Sequence, residues 1–198
     1  MFEIAGIKIG LNHKPFIIAE MSGNHNQSME RALLIVEAAA EAGADALKLQ
    51  TYTADTITLD IKTDEFFISD ENSLWKGQSL FELYEQAHTP WEWHYKLFDA
   101  AKKEGLLCFS TPFDKSSVDF LESLNNPIYK IASFEITDTD LIEYIALKNK
   151  PIILSTGIAT KDEIEDALKV IRGVNKNNII LLQCTSSYPT PPEEANLL

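Results

Sequence analysis

The sequence predicts an α/β fold with a parallel sheet, because it contains six apolar runs of strand length. They are Phe16 to Glu20, Ala46 to Gln50, Leu107 to Thr111, Ile128 to Ser133, Ile152 to Thr156 and Ile179 to Cys184. Strands buried on both faces have continuous apolar runs, whereas half-exposed strands alternate apolar and polar residues. Segments with helical apolar spacing lie between most of these runs, which is the order expected of repeated β/α units.

The chain begins with a predicted β-hairpin. The opening FEIAGIKIG contains two short alternating segments around Gly6, and we expect them to close the bottom of a barrel. After the first apolar run, Ser28 is a good N-cap for a helix that Gly43 ends.

A long loop and two helices are predicted before the third apolar run. Residues 52–78 have no clean period, and loops of this length usually cover a substrate or are disordered, so we place this one over the rim of the sheet. The apolar spacing is helical from Ser79 to Ala87 and from Pro90 to Glu104, with Thr89 and Pro90 as the N-cap and first residue of the second helix.

The second half of the chain repeats helix and strand. Helices are predicted over about 115–124, 140–148 and 160–172, and IILLQC is the sixth strand. No linker rich in Gly or Ser interrupts the pattern, so we predict one domain over residues 1–198. A closed eight-stranded barrel takes about 250 residues. Six β/α units therefore indicate either an incomplete barrel or an open sheet.

Composition narrows the functional classes. The formal net charge is −13, and the 17 basic residues are scattered, which argues against a nucleic-acid surface. No apolar run has the length of a membrane span, and the amino terminus lacks the pattern of a signal peptide. Cys108 and Cys184 lie in apolar runs, where free thiols are expected. We therefore expect a cytoplasmic protein.

Polar side chains occupy the carboxyl ends of the apolar runs, where ligands collect in β/α folds. They are Glu20, Lys48, Gln50, Thr111, Lys130, Ser133, Glu135, Ser155 and Ser186. A lysine inside an apolar strand must bury its stem and find an anionic partner, and two such lysines indicate an anionic ligand. Glu20 is one candidate partner for Lys48. A lysine with a lowered pKa can instead form a Schiff base, so a class I aldolase remains open.

Two other sequence features indicate a ligand or metal site less strongly. Ser155, Thr156 and Gly157 stand at a strand-to-helix turn and offer hydroxyls and backbone donors to a phosphate. The four histidines have no spacing typical of a metal site, and His25 is the one that follows a rim strand.

Seven segments together resemble the sialic acid synthase family over nearly the whole chain. They are IAEMSGNHNQ, ALKLQTY, LWKGQSLFELYEQAHTPWEWH, FSTPFD, YKIASFEITD, PIILSTGIAT and QCTSSYPTP. The LWKGQ and TPWEWH block and the KIASFEITD form are most similar to the pseudaminic acid synthase branch. The resemblance implies a TIM (β/α)8 barrel. It also implies condensation of phosphoenolpyruvate with an open-chain 2,4-diacetamido-2,4,6-trideoxy hexose, with release of phosphate.

The resemblance also implies roles for individual residues. Glu20 and Glu135 match the acid-base carboxylates, and Gln50 and Tyr188 match contacts to the acceptor sugar. The positions that match the phosphoenolpyruvate site are Lys48, Thr111, Lys130, Ser133, Ser155 and Ser186. Two cations and a group of hydroxyls suit this highly charged ligand.

Some parts of the family pattern have no counterpart in the sequence. The family binds a divalent metal, usually manganese or magnesium, through two histidines on later strands, and a carboxyl-terminal antifreeze-like domain completes the sugar site across a homodimer. We therefore expect these 198 residues to be inactive alone and to contain no metal ligands. The alternatives are an N-acetylneuraminate or legionaminic acid synthase, a Schiff-base aldolase, and a non-catalytic sugar-phosphate binding module.

Overall fold

The computed structural model describes residues 2–4, 6–69, 71, 73, 75–186 and 190–195. The strands are β1 (Phe2–Ile4), β2 (Ile7–Ile9), β3 (Ile18–Glu20), β4 (Ala46–Thr51), β5 (Leu107–Pro112), β6 (Tyr129–Ile131), β7 (Ile152–Ser155) and β8 (Ile179–Leu182). The α-helices are α1 (Met29–Glu41), α2 (Ala54–Ile57), α3 (Leu80–Ala87), α4 (Trp91–Lys103), α5 (Lys115–Ser123), α6 (Thr139–Ala146) and α7 (Lys161–Val174). None of the helices in these described ranges is long and apolar enough to cross a membrane.

The described chain divides into two compact units. The first comprises residues 16–108 and the second comprises residues 1–15 and 109–198, so β5 contributes residues to both. Within the first unit β3 and β4 are parallel, and Glu20 is paired in register with Lys48. Alpha-helices α1 and α4 pack on these strands around a buried apolar cluster that includes Val36, Leu47 and Leu97.

Local sequence signals in the first unit act largely as predicted. The Ser28 hydroxyl accepts the Arg31 N–H at 3.2 Å and caps α1. Gly43 ends the helix at a φ of +80°, a conformation that favours glycine. One prediction was wrong: Pro90, not Thr89, is the N-cap of α4. The Thr89 side chain lies 3.1 Å from His25 Nε2 instead, because both groups are buried and need a polar partner.

The second unit contains the predicted hairpin and most of the predicted strands. Strands β1 and β2 are antiparallel, and the Asn178 amide donates to the Glu3 carbonyl oxygen at 3.5 Å. Asn178 directly precedes β8, so the hairpin lies at the amino-terminal end of that strand. Strands β5, β6, β7 and β8 are neighbours in chain order, and all of their pairings are parallel.

Two predicted segments differ from the structure. Residues 52–78 were predicted as one loop, but they include α2 and a 3₁₀ turn over Asp64–Phe66. The run from Ile128 to Ser133 was predicted as one strand, but β6 ends at Ile131 and a 3₁₀ turn covers Ser133–Thr137. Hydrogen bonds of this turn, such as that from the Asp138 N–H to the Glu135 carbonyl, replace the strand pairing. Apolar character alone does not distinguish the two geometries.

Candidate active site

In the first unit, Lys48 and Glu20 form an ion pair at the ends of β4 and β3. Leu47 and Leu49 belong to the apolar cluster under α1 and α4. Since successive side chains of a strand point to opposite faces, Lys48 lies on the face away from these helices. Its side chain is 13% exposed, against 42% for Glu20. The Glu20 carboxylate therefore neutralises the largely buried Lys48 ammonium and is itself exposed enough to contact a ligand.

Gln50 lies two residues further along β4, on the same face as Lys48. The Ser22 hydroxyl donates to Gln50 Oε1 at 2.9 Å. Ser22 belongs to the turn that follows β3 and has a φ of +47°. Sequence reasoning identified Gln50 but missed Ser22, because no sequence signal predicts a left-handed serine there.

In the second unit, Lys130 is the buried cation. The neighbouring Tyr129 points toward α5, where its hydroxyl donates to a Glu122 carboxylate oxygen at 2.6 Å. Lys130 therefore points to the opposite face of β6. It is 7% exposed, and its ammonium donates to the Ile131 carbonyl oxygen at 2.8 Å.

Strand register brings three of the predicted residues to one face. Ser110 pairs with Tyr129, so the next residues along, Thr111 and Lys130, are neighbours. Lys130 pairs with Ile153, and Ser155 follows Ile153 by two positions. Thr111, Lys130 and Ser155 therefore share the face away from α5.

Two serines lie close to Gly157, and a third, Ser155, contacts the neighbouring Cys184. The Gly157 N–H donates to Ser133 Oγ at 3.2 Å, and a Cβ added to Gly157 would lie 2.7 Å from Ser186 Oγ. The added Cβ would also lie 3.1 Å from the Cβ of Cys184. The Cys184 thiol donates to Ser155 Oγ at 3.3 Å. A glycine at this position lets the Ser133 and Ser186 hydroxyls pack closely against the backbone, and hydroxyl groups can donate to anionic oxygens. We call Ser133, Ser155, Gly157 and Ser186 the hydroxyl cluster.

Glu135 is the predicted carboxylate of the second unit. Burial raises the pKa of its carboxyl above the ordinary value, and the charge of Lys130 partly opposes that shift. Its buried Oε2 has no hydrogen-bond partner among the described residues. A carboxyl with these properties holds a proton more readily than an exposed one.

The remaining site predictions concern Tyr188, the histidines and the cysteines. Tyr188 lies outside the described residues. His94 Nε2 lies 2.9 Å from Thr51 Oγ1, and burial lowers the His94 pKa to about 4. Across the ranges that the structure describes, no group of three or more His, Cys, Asp or Glu side chains is arranged to hold a metal ion. Cys108 and Cys184 are free thiols.

Comparison with known proteins decides the family. A family model described as the NeuB family matches residues 35–198. The chain belongs to the NeuB family. The resemblance to sialic acid synthases is thereby confirmed.

Several proteins similar to this chain are named as synthases. The pseudaminic acid synthase of Helicobacter pylori is 52% identical over 184 residues, covering 93% of this chain and 54% of the relative. That of Campylobacter jejuni is 47% identical, with 93% and 53% covered. A crystal structure of an N-acetylneuraminic acid synthetase from Leptospira borgpetersenii in complex with citrate is 33% identical with a TM-score of 0.82, covering 98% of this chain and 62% of that one. The predicted fold class, an incomplete TIM barrel with an amino-terminal hairpin, is confirmed.

The chain spans about half the length of the curated relatives that it matches. What those proteins make is therefore a basis for a proposal about this chain.

Proposed function

We propose that this chain forms part of a nonulosonic acid synthase that condenses phosphoenolpyruvate with an open-chain 2,4-diacetamido-2,4,6-trideoxy hexose and so makes pseudaminic acid. The observation that carries the proposal is the hydroxyl cluster around Gly157. The register that puts Lys130 and Ser155 on one face adds a buried cation to it. A buried cation beside several hydroxyls suits a small ligand with a phosphate and a carboxylate.

In this proposal the anionic substrate is bound by residues of several strands. They are Lys48, Thr111, Lys130, Ser133, Ser155 and Ser186. The lysines neutralise charge, and the hydroxyls and the Gly157 backbone fix the orientation of the phosphate and carboxylate oxygens. Gln50 and Tyr188 contact the acceptor sugar, where an amide and an aromatic edge suit hydroxyl and acetamido groups.

Glu20 and Glu135 are the proposed acid-base carboxylates. C3 of the enol attacks the aldehyde carbon, a water molecule adds at C2, and the carbon–oxygen bond to the phosphate breaks as phosphate leaves. The attacking water loses both protons as the C2 carbonyl forms: one balances the proton that the aldehyde oxygen takes up, and the other leaves with the phosphate. Glu135 suits the proton donor because burial raises its pKa.

A divalent manganese or magnesium ion, a homodimeric assembly and a cytoplasmic location are further parts of the proposal. The described residues offer no cluster that fits such an ion, and no step above is assigned to it. We also propose that the 198 residues are inactive when separated from the rest of such an enzyme.

The test of activity uses the product of the complete reading frame that contains these 198 residues. We expect phosphate release with phosphoenolpyruvate and the 2,4-diacetamido-2,4,6-trideoxy hexose, and slower release with N-acetylmannosamine. Preference for the latter would make the protein an N-acetylneuraminate synthase. Absence of phosphate release with every acetamido hexose would contradict the proposal.

The aldolase alternative rests on the burial of Lys130 and has a separate test. Borohydride reduction with the carbonyl substrate traps a Schiff base as a stable adduct. We expect no adduct on Lys48 or Lys130. A trapped adduct on either lysine would favour the aldolase.

Lys130→Ala tests the anion site in the same full-length protein. Loss of a desolvated cation should weaken phosphoenolpyruvate binding by on the order of 2 to 5 kcal/mol in calorimetry. The matched control is Lys115→Ala, which removes an exposed lysine paired with Asp140 and should leave binding unchanged. Glu20→Gln should preserve binding and lower turnover. Unchanged affinity in Lys130→Ala would make the assignment of the anion site wrong.

A further inference from the structure

The turn between β3 and α1, residues 21–28, is held in an unfavourable backbone conformation. Ser22, Asn26 and Gln27 have φ values of +47°, +46° and +56°. Such left-handed backbone conformations are unfavourable for residues that carry a Cβ atom. A turn with three such residues persists only when surrounding contacts hold it.

Those contacts come from the junction of α3 and α4. The side-chain amide of Gln27 donates to the carbonyl oxygens of Gln86 and His88 at 2.8 and 2.7 Å. A Cβ on Gly23 would lie 3.0 Å from the Ala87 carbonyl oxygen, so the backbone packs closely against the end of α3.

His25 anchors the turn from within. Its side chain is fully buried, and its Nδ1 accepts the Gln27 N–H at 3.1 Å. Because that nitrogen is an acceptor, the proton of the neutral ring is on Nε2, which then donates to Thr89 Oγ1 at 3.1 Å. The ring also contacts Trp93 edge to face, with centroids 5.4 Å apart. The turn is thus fixed before any ligand binds.

This rigid turn fixes the position of the Ser22 hydroxyl. Ser22 Oγ donates to Gln50 Oε1 at 2.9 Å, which leaves the Gln50 NH₂ group to donate elsewhere. A glutamine amide can rotate by half a turn and exchange its oxygen and nitrogen at little cost. One hydrogen bond of about 1 kcal/mol favours one orientation by roughly fivefold.

We propose that Ser22 is a specificity-determining positioning residue, which orients the Gln50 amide so that its NH₂ group donates to a carbonyl or hydroxyl oxygen of the acetamido sugar. This inference rests on the proposed function. Ser22 itself touches no substrate. Its effect on the reaction passes through Gln50.

The experiment separates the hydroxyl from the backbone strain. Ser22→Gly removes the hydroxyl and also relieves the positive φ, whereas Asn26→Gly relieves a similar φ in the same turn without touching Gln50. Both variants of the full-length protein should melt at or above the wild-type temperature. In Ser22→Gly the KM for the acceptor should rise about three- to tenfold, which is the loss of one hydrogen bond. The KM for phosphoenolpyruvate should change less than about twofold, and Asn26→Gly should match wild type in both constants.

A double-mutant cycle completes the test. If Ser22 acts through Gln50, adding Ser22→Gly to Gln50→Ala should not raise the acceptor KM further. An unchanged acceptor KM in Ser22→Gly, an equal rise in Asn26→Gly, or full additivity in the double variant would overturn the inference. Wild-type protein that condenses no acetamido sugar would instead contradict the proposed function itself.

Discussion

At the scale of single residues, Glu135 shows how an environment changes the chemistry of a side chain. The sequence indicated a carboxylate near the end of a strand, but it could not predict the protonation behaviour. That behaviour depends on burial, on the unpartnered Oε2 and on the charge of Lys130, and these are set by residues distant along the chain. Because burial raises the pKa, the ionised form is disfavoured in the folded state and its presence lowers stability as the pH rises.

Glu135→Gln should therefore stabilise the protein at neutral pH. Replacing an ionised, partly unsatisfied carboxylate by a neutral group of the same shape should raise the free energy of unfolding by about 1 kcal/mol. The gain should shrink as the pH falls through the raised native pKa of Glu135 and vanish below about 4.3, where the carboxyl is neutral in both folded and unfolded states. Urea denaturation across this pH range measures the difference.

The matched control for this substitution is Glu143→Gln on the exposed side of α6. It should change the free energy of unfolding by less than about 0.5 kcal/mol at every pH. A loss of stability in Glu135→Gln at neutral pH would show that the native state depends on the ionised carboxylate.

At the scale of elements, regular structure was predictable and the turns that position side chains were not. The predicted strand over Ala46 to Gln50 matches β4 to within one residue, because burial on both faces requires a continuous apolar run. The turn over residues 21–28 depends instead on left-handed residues that are not glycine and on the burial of His25 beside Thr89. Contacts 64 residues apart in sequence leave no local pattern.

His25→Ala should destabilise the protein. The substitution leaves a cavity beside Trp93 and removes the partners of the Gln27 N–H and Thr89, at a combined cost of about 2 to 4 kcal/mol. Burial, and to a smaller extent the charge of His88, lower the pKa of His25. The stabilising contribution of the neutral ring is therefore present above about pH 6.5 and is lost as the pH falls through the lower native value.

Measurement of that contribution needs two pH values. Urea denaturation of wild type and His25→Ala should give a larger difference at about pH 7.5 than below pH 6. His13→Ala, at an exposed position, is the control and should show a small difference at both. A difference that grows on acidification would mean that the charged imidazole is the stabilising form.

At the scale of the whole molecule, the sequence predicted the fold class and the residues at the strand ends, because both follow from one repeated pattern. It could not predict that Ser133 and Ser186 pack against Gly157 while Ser155 contacts Cys184, since their approach depends on how three separate strand ends turn. Charge is a further property of the whole chain. The formal net charge is −13, and most of the side chains in the seven ion pairs of the described residues are well exposed to solvent.

Exposed ion pairs contribute little to stability, whereas an excess of like charge opposes the compact state through self-repulsion. Sodium chloride screens both effects. The larger of the two therefore determines whether added salt raises or lowers the melting temperature. Raising the salt from about 0.05 to about 0.5 M at pH 7 should increase the melting temperature by roughly 2–4 °C, or about 1 kcal/mol. The same comparison near pH 4.7, where the net charge is close to zero, is the control and should show no increase. A fall in melting temperature with salt at pH 7 would mean that the ion pairs outweigh the repulsion.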